Sequence, residues 1–390
     1  MNSALKKILN TVPSAPDWAI DRAALEETAL SVMLSSMKNV QQNPAFHGEG
    51  DVFSHTMAVC GALSQAEEFR SLPERQRQEV FLAALLHDVG KLRTTRLDNG
   101  EWVSPRHSKV GAQMARDLLW RECGLCGTPE AQAFRETVCS LISYHSVPVH
   151  VLGQEDGALR LMRIASEGLA AGDFSLELLC LLSESDVRGR IAPDTEELSM
   201  QVRLCALMAE ELGCLKGVGN YASAYTRRAY LSGRNVLPDQ AVYDDTWGEV
   251  ILMCGLPAAG KDTWISTHYP DLPMISLDYL RKEMHMRPED NPAPVVREAE
   301  ERAKELLRKK QPFIWNATSL TRDLRGRRIS LFERYHAAVR IVYLETDRET
   351  QRQRNRGRAA TVPEAVIERM LFSLEPPMPW EAQEVDWICT

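Results

Sequence analysis

The stretch that most constrains the fold of this chain is EVILMCGLPAAGKDT, residues 249–263. A short apolar run leads into a loop that begins at Gly255 and ends at Gly260, and Lys261 follows directly. Glycines permit backbone conformations that aim N–H groups at a phosphate, and the lysine can reach the β- and γ-phosphates of a nucleotide. The pattern therefore predicts a strand, a phosphate-binding loop and a helix whose positive end faces the phosphates.

One position of this loop departs from the usual pattern. A Ser or Thr hydroxyl normally follows the lysine and coordinates Mg²⁺, whereas this chain carries Asp262. The carboxylate could bind the ion directly or through water, or Thr263 could take its place, and the sequence leaves these alternatives open. We expect a nucleoside triphosphate, ATP or GTP, and Mg²⁺ at this site.

The rest of the chain predicts two domains of different class. Three further apolar runs, PMISLD (273–278), FIWNAT (313–318) and VRIVYLE (339–345), are each followed by a helical stretch, which predicts a parallel sheet with crossover helices. The first half instead shows helical periodicity without clear strand alternation, as in RQRQEVFLAALLHDVGKL, residues 75–92. We predict an all-α domain over residues 1–210, a connecting arm over 211–245 and an α/β P-loop domain over 246–390.

Composition excludes several classes of protein. The chain has 390 residues, of which 44% are hydrophobic and 26% charged, as in an ordinary globular protein of about two domains. No apolar run approaches the ~18 residues that cross a bilayer and no basic-apolar leader is present, so we expect a cytoplasmic protein without membrane contact. The net charge of −8 argues against coating of DNA in bulk but does not exclude a local basic groove.

Histidines are concentrated in the helical half. Six of the nine lie between residues 47 and 150, and one of them, His87, stands next to Asp88 late in an apolar helix. A buried carboxylate is costly unless it is paired or binds a metal, and imidazole with carboxylate is a common ligand set for Zn, Mn, Ni, Co or Fe. His150 lacks a motif partner, and we expect it in a surface loop.

The order of the histidines and aspartates resembles the HD phosphohydrolase superfamily, an all-helical metal hydrolase fold. The strings EGDVFSHT, HDVGK, HSKVGA and DVRGR resemble its branch appended to bacterial tRNA nucleotidyltransferases, over residues 45–190. The resemblance implies two divalent transition metals (Mn, Ni, Co, Zn or Fe), with Asp88 bridging them. It assigns the first metal to His55, His87, Asp88 and Asp186, and completes the second site with His107 and His145.

Two further features of this half concern the substrate. The resemblance implies that Lys91, one turn past Asp88, neutralises charge that develops on a phosphate; the alternative is a solvated lysine at a helix end. His47 and Glu49, in HGEGD, are expected at the mouth of the site, with Glu49 as a substrate contact or as support for a metal ligand.

The P-loop half carries polar residues where its strands end. Asp278 and Arg281, in SLDYLRKE, follow the second strand, where a carboxylate can take a proton from an attacking hydroxyl and an arginine can grip a phosphate. Such ends form the ligand face of parallel sheets. The third strand ends near Asn316, Thr318 and Arg322, and the arginine-rich run 352–358 precedes a helix and contains Arg352 and Arg356 at i, i+4 spacing.

Over residues 247–375 these motifs resemble the phage-type 5′-hydroxyl polynucleotide kinase family. The resemblance implies that Lys261 binds the donor phosphates, that Asp278 is the general base and that Arg281 holds the phosphate 3′ to the accepting nucleotide. It also implies that Arg352 and Arg356 contact the donor phosphates in the transition state. Asn316, Thr318 and Arg322 are expected to bind substrate.

The two halves together resemble the bacterial HD-Pnk end-healing enzymes. The resemblance implies a bifunctional enzyme: the HD domain hydrolyses 2′,3′-cyclic phosphate and 2′/3′-phosphate ends, and the kinase phosphorylates 5′-hydroxyl ends of RNA or DNA. A functional link to a nucleic-acid ligase follows as an expectation. The alternatives are a nucleotide-metabolism enzyme, in which an HD nucleotidase is joined to a small-molecule kinase, and a signalling or nucleic-acid-binding module whose HD site is inert.

Overall fold

The computed structural model describes residues 2–287, 289–358 and 360–390. The chain divides into two compact units: the residues up to Leu125 with Glu130–Asn220, and Cys126–Pro129 with Tyr221–Thr390. The predicted fold class is confirmed, because the first unit is helical and the second contains a parallel five-stranded sheet. None of the helices in the described residues combines the length and apolarity needed to span a bilayer.

The helical unit contains thirteen α-helices in its described residues. They are α1 (Ser3–Leu9), α2 (Arg22–Glu26), α3 (Ser31–Met37), α4 (Val52–Gln65), α5 (Glu67–Ser71), α6 (Glu74–Leu86), α7 (Lys91–Thr94), α8 (His107–Arg121), α9 (Pro129–Tyr144), α10 (Gly157–Ser166), α11 (Gly168–Ala171), α12 (Leu176–Arg188) and α13 (Thr195–Glu211). A single 3₁₀ turn, Val151–Gly153, precedes α10.

Helix α6 forms the centre of this unit. Every residue from Val80 to Leu86 is buried, so the second half of the helix has no solvent-facing side. Helices α4 and α12 both pack against it. Because burial continues past the end of α6, the polar pair His87 and Asp88 enters the interior directly after the apolar run.

A small antiparallel hairpin in the helical unit was not predicted. Strands β1 (Arg96–Asp98) and β2 (Glu101–Val103) pair through a two-residue turn at Asn99 and Gly100, both of which have positive φ. The dipeptide Asn-Gly is a strong signal for such a turn. The strands are only three residues long and largely exposed, which is too short for an alternation of apolar and polar residues to identify them.

The second unit is an α/β fold. Its strands are β3 (Glu249–Cys254), β4 (Met274–Ser276), β5 (Phe313–Asn316), β6 (Ala338–Glu345) and β7 (Glu384–Cys389). Its helices are α14 (Ala224–Leu231), α15 (Lys261–His268), α16 (Leu277–Glu283), α17 (Ala293–Arg308), α18 (Arg322–Glu333), α19 (Arg348–Arg356) and α20 (Glu364–Ser373).

All strand pairs of this sheet are parallel, in the order β4-β5-β3-β6-β7. The four apolar runs of the sequence correspond to β3–β6, whereas β7 was not predicted. Strand β3 lies between β5 and β6, so its carboxyl end faces the point at which the strand order reverses, where ligands bind in such sheets. Ala259 and Ile265 cover Ile251, Met253 and neighbouring strand residues there.

Candidate metal centre and phosphate-binding loop

Five separate elements bring the six predicted metal ligands together. Asp51 caps α4, which carries His55; its carboxylate accepts a hydrogen bond from the Ser54 N–H. His87 and Asp88 follow α6, and Asp186 lies on α12. His107 is the first residue of α8, and His145 follows α9. Five of the six are at most 3% exposed, and His107 is half-buried.

The ligand atoms converge in two overlapping groups. His55, His87 and Asp88 form one group and Asp88, His107 and His145 the other, with the ligand atoms of each group within 4.8 Å of one another. Asp186 joins the first group, because its Oδ1 lies 3.0 Å from Nε2 of His55. Asp88 contributes to both groups: Oδ2 lies 3.3 Å from Nε2 of His87, and Oδ1 lies 3.4 Å from Nε2 of His107.

Backbone carbonyls fix the orientation of three imidazoles. The Nδ1 atoms of His87, His107 and His145 each lie 2.8–2.9 Å from the carbonyl oxygen three residues earlier in the chain. A carbonyl only accepts, so each Nδ1 carries the proton and each Nε2 keeps its lone pair for the centre. Such outer partners are the usual way in which metal-binding histidines are held.

Burial and neighbouring charges prepare these side chains for metal binding. Burial lowers the pKa of His145 to about 3, so that imidazole is neutral at physiological pH. Burial raises the pKa of the Asp88 carboxyl, but the positive charge of the neighbouring Lys91 ammonium outweighs it and holds the pKa well below its usual range. Neutral imidazoles and ionised carboxylates are the forms that bind divalent transition metals, so the donor set fits such ions.

A close backbone approach at Gly90 completes the centre. A Cβ on Gly90 would lie 2.0 Å from the carbonyl oxygen of His107. Only glycine therefore allows α8 to start where His107 reaches Asp88.

The remaining predicted residues of this half lie around the centre. Lys91 is buried, with Nζ 2.7 Å from Oδ2 of Asp88. Glu49, predicted as a substrate contact or as support for a ligand, has Oε1 2.8 Å from Nδ1 of His55 and 2.9 Å from Nδ1 of His47, and its Oε2 accepts from a backbone N–H. This position supports His55 from behind, and a substrate contact stays a prediction. His150 is exposed.

The phosphate-binding loop connects β3 to α15 as predicted. Gly255 and Gly260 have φ values of 144° and 94°, in the region that favours glycine, and a Cβ on Gly255 would lie 2.5 Å from the Leu344 carbonyl oxygen. The Lys261 ammonium donates to the carbonyls of Gly255 and Leu256, both at 2.9 Å, so the lysine folds over its own loop. Burial lowers its pKa to about 8.

The unusual Asp262 is bound by a residue of the neighbouring strand. Nδ2 of Asn316, at the end of β5, donates to Oδ1 of Asp262 over 2.7 Å. Thr263 is exposed in the first turn of the same helix. The Thr318 carbonyl accepts from the Gly255 N–H at 3.0 Å, so its backbone supports the loop.

Asp278 lies exposed in the first turn of α16, beside two guanidinium groups. Its Oδ1 is 3.7 Å from Nη1 of Arg281, and its Oδ2 is 3.7 Å from Nη2 of Arg358. Asp278 and Arg358 also act on the pKa of Lys261, in opposite directions, which places both near the phosphate-binding loop. Arg358 was not among the predicted site residues.

Helix α19 presents a different arginine to the loop from those predicted. Arg352 pairs with Glu364 of α20, and Arg356 is exposed. Nη1 of Arg354 instead lies 3.1 Å from the position of a Cβ on Gly260. Arg354 and Arg358 have the same i, i+4 spacing as the predicted pair, so spacing alone does not distinguish the two faces.

Arg322 is the first residue of α18, which follows β5. Its guanidinium stacks over Trp380, with 4.6 Å from Cζ to the ring centroid, and its backbone N–H donates to Glu375. Its predicted role in binding substrate stays a prediction.

These two sites define a class of protein: an enzyme that joins a helical hydrolase domain, with side chains that could hold metal ions, to a P-loop, kinase-like domain. Comparison with known families agrees. Residues 52–180 match the family model described as HD domain, and residues 250–377 match the model described as AAA domain. Comparison with curated proteins gives no match.

Proposed function

We propose that this enzyme heals broken nucleic-acid ends. The HD domain removes 2′,3′-cyclic phosphates and 2′/3′-phosphates, and the P-loop domain transfers the γ-phosphate of a nucleoside triphosphate to a 5′-hydroxyl end. The pairing has chemical sense, because many nucleases leave a cyclic phosphate on one side of an RNA break and a 5′-hydroxyl on the other. A ligase that needs 3′-hydroxyl and 5′-phosphate ends could then act on the product.

The observation that carries this proposal is the pair of guanidinium groups beside Asp278. As general base, this carboxylate would take the proton of the accepting hydroxyl while the hydroxyl attacks the γ-phosphate. Arg281 and Arg358, each 3.7 Å from the carboxylate, would hold a second phosphate next to the acceptor. An oligonucleotide carries such a phosphate 3′ to its terminal nucleoside, whereas a free nucleoside does not.

In the HD domain, the six histidine and aspartate ligands would hold two divalent metals with Asp88 between them. Such metals supply a hydroxide nucleophile at neutral pH and balance charge on a phosphate. The chain itself keeps His145 neutral by burial and orients three of the imidazoles through backbone carbonyls, and Lys91 adds a positive charge beside Asp88. We assign to Lys91 the role of binding the phosphate group of the substrate in this centre.

The test uses one RNA oligonucleotide with a 2′,3′-cyclic phosphate and a 5′-hydroxyl, incubated with ATP and Mg²⁺ or Mn²⁺. Mass spectrometry of both termini should show a 3′-end without phosphate and a 5′-phosphate. A parallel reaction with free nucleosides tests the alternative that the P-loop domain is a small-molecule kinase of nucleotide metabolism. Faster phosphorylation of nucleosides than of 5′-hydroxyl oligonucleotides would contradict the proposal, and so would an intact cyclic phosphate.

A further inference from the structure

Gln42 is a buried polar residue beside the HD centre to which no motif assigns a role. Only 7% of the accessible surface of this residue is exposed. The preceding residue, Gln41, forms a backbone bridge with Asp51, the residue that caps α4. The position of Gln42 is therefore tied to the helix that carries His55.

The orientation of the Gln42 amide follows from its contact with Lys91. Oε1 of Gln42 lies 2.6 Å from Nζ of Lys91. An ammonium group only donates hydrogen bonds, so the amide oxygen must face it and the NH₂ group must face away. Nε2 is buried and has no hydrogen-bond partner among the protein atoms that the structure describes.

The contact with Lys91 also places this amide next to the metal ligands. The Lys91 ammonium lies between the Gln42 oxygen, at 2.6 Å, and Oδ2 of Asp88, at 2.7 Å. These contacts use two of its three protons and leave one for another acceptor. A buried N–H without a partner is costly, which favours an acceptor that arrives with the substrate.

We infer that Gln42 is a substrate-binding residue of the HD centre, whose Nε2 donates a hydrogen bond to a non-bridging oxygen of the substrate's phosphate. The ligand class is a cyclic phosphodiester or a phosphate monoester, so the inference rests on the proposed hydrolysis at this centre. Because the amide is a neutral donor, it serves the monoanion and the dianion alike. Through Oε1, the same side chain holds Lys91 in place.

The experiment compares Gln42→Glu with Gln41→Glu. The first variant keeps an acceptor for Lys91 but has no donor at neutral pH; the second places the same charge on the exposed neighbouring residue. Calorimetric titration with inorganic phosphate should show Kd raised on the order of 10- to 100-fold for Gln42→Glu and unchanged for Gln41→Glu. The kcat/KM values for cyclic phosphate and monoester should fall together, while metal content and kinase activity stay unchanged.

A second variant keeps the test decisive if Gln42→Glu does not fold. Gln42→Met has a similar length, carries no charge and removes both polar atoms, so it should weaken phosphate binding by a comparable factor. Phosphate affinity like the wild type in a folded variant would overturn the inference, as would an equal loss in Gln41→Glu or a loss of bound metal. If the wild type binds phosphate through Gln42 but hydrolyses neither ester, the inference stands and the proposed function fails.

Discussion

The side chains of the HD centre are more buried and more firmly held than those around the phosphate-binding loop. In the HD centre, Asp88 and Asp186 are 2% and 3% exposed, and three of the four imidazoles are held by backbone carbonyls. Beside the loop, the side chain of Asp278 is 71% exposed. The side chains of the first site are buried and already close together, whereas Asp278 of the second site is open to solvent.

The chemistry of the ligands explains this difference. Ligands that bind a metal must be deprotonated and aimed at one point, and the packed helices of this domain already place them there. A kinase must exchange two phosphate-bearing ligands in each cycle, and its charged groups stay solvated until those ligands arrive. Asp278 fits this description, since its side chain is 71% exposed, whereas the partly buried Lys261 donates to the carbonyls of its own loop.

The largest expected effect lies in the exposed site. Lys261→Met should lower kinase activity on the order of 10³-fold, because the charge on the β- and γ-phosphates is lost. Hydrolysis of cyclic phosphate should not change. A radiolabel transfer assay measures this, with Lys304→Met as control, since Lys304 pairs with Glu301 on α17. Equal losses in the two variants would show that any lost lysine charge lowers activity.

The next largest effect is expected where a substitution in the HD centre displaces the backbone that positions His107. Gly90→Ala would put a methyl group 2.0 Å from the His107 carbonyl oxygen and displace that ligand. We expect phosphatase activity to fall about 100-fold and bound metal to decrease. Elemental analysis and a phosphatase assay measure both quantities.

The matched control is Gly61→Ala, in the helix that carries His55. A Cβ there meets nothing within 4 Å, so activity should be kept. Full activity in Gly90→Ala would show that the backbone of the centre adjusts freely. The conclusion that the HD centre is the more firmly held of the two sites would then be wrong.

A smaller effect distinguishes the two faces of α19. Arg354→Ala should lower kcat/KM for ATP on the order of 10-fold, since its guanidinium lies against Gly260, whereas Arg352→Ala should cost less because Arg352 pairs with Glu364. Arg327→Ala, on an exposed pair of α18, is the control. A larger loss in Arg352→Ala would support the sequence-based assignment and indicate that α19 moves when the donor binds.

The smallest expected effect concerns Glu79, a buried carboxyl on α6. Burial, together with the charge of Asp173, raises its pKa to about 9, so it is neutral in the folded protein. The proton that the folded state retains stabilises it below pH 4.5, and this contribution is lost as pH rises from 4.5 to about 9. In Glu79→Gln the free energy of unfolding should therefore decline less steeply with rising pH, by as much as ~1.4 kcal/mol per pH unit.

Urea denaturation at pH 5.5, 7 and 8.5 measures this slope. Parallel slopes in the variant and the wild type would show that Glu79 is ionised in the folded state. Glu79 would then be an ionised buried carboxylate, as Asp88 is, rather than a neutral one.

Short strings of sequence predicted much of both sites, because each string combines a chemical group with a fixed local geometry. The six residues predicted as metal ligands and the phosphate-binding loop lie in such strings, and the structure places the side chains of those six residues close together. The position of Arg354 could not be predicted, because it depends on how α19 docks: Gln351 donates to the Pro257 carbonyl, and Asn355 binds the backbone of Val362.

Two other features were missed for different reasons. The role inferred for Gln42 rests on its contact with Lys91, which is distant in the chain, so no local pattern indicates it. Strand β7 is a half-buried edge strand that pairs with β6. Its apolar residues Val385, Trp387, Ile388 and Cys389 form a pattern that could have predicted the strand.

The most direct test of two independent phosphate sites uses Asp88→Asn and Lys261→Met on RNA with both damaged ends. We predict that Asp88→Asn phosphorylates the 5′-end but leaves the cyclic phosphate, that Lys261→Met does the reverse, and that mixing the two variants restores both reactions. Loss of both reactions in either folded variant, with recovery absent on mixing, would contradict it.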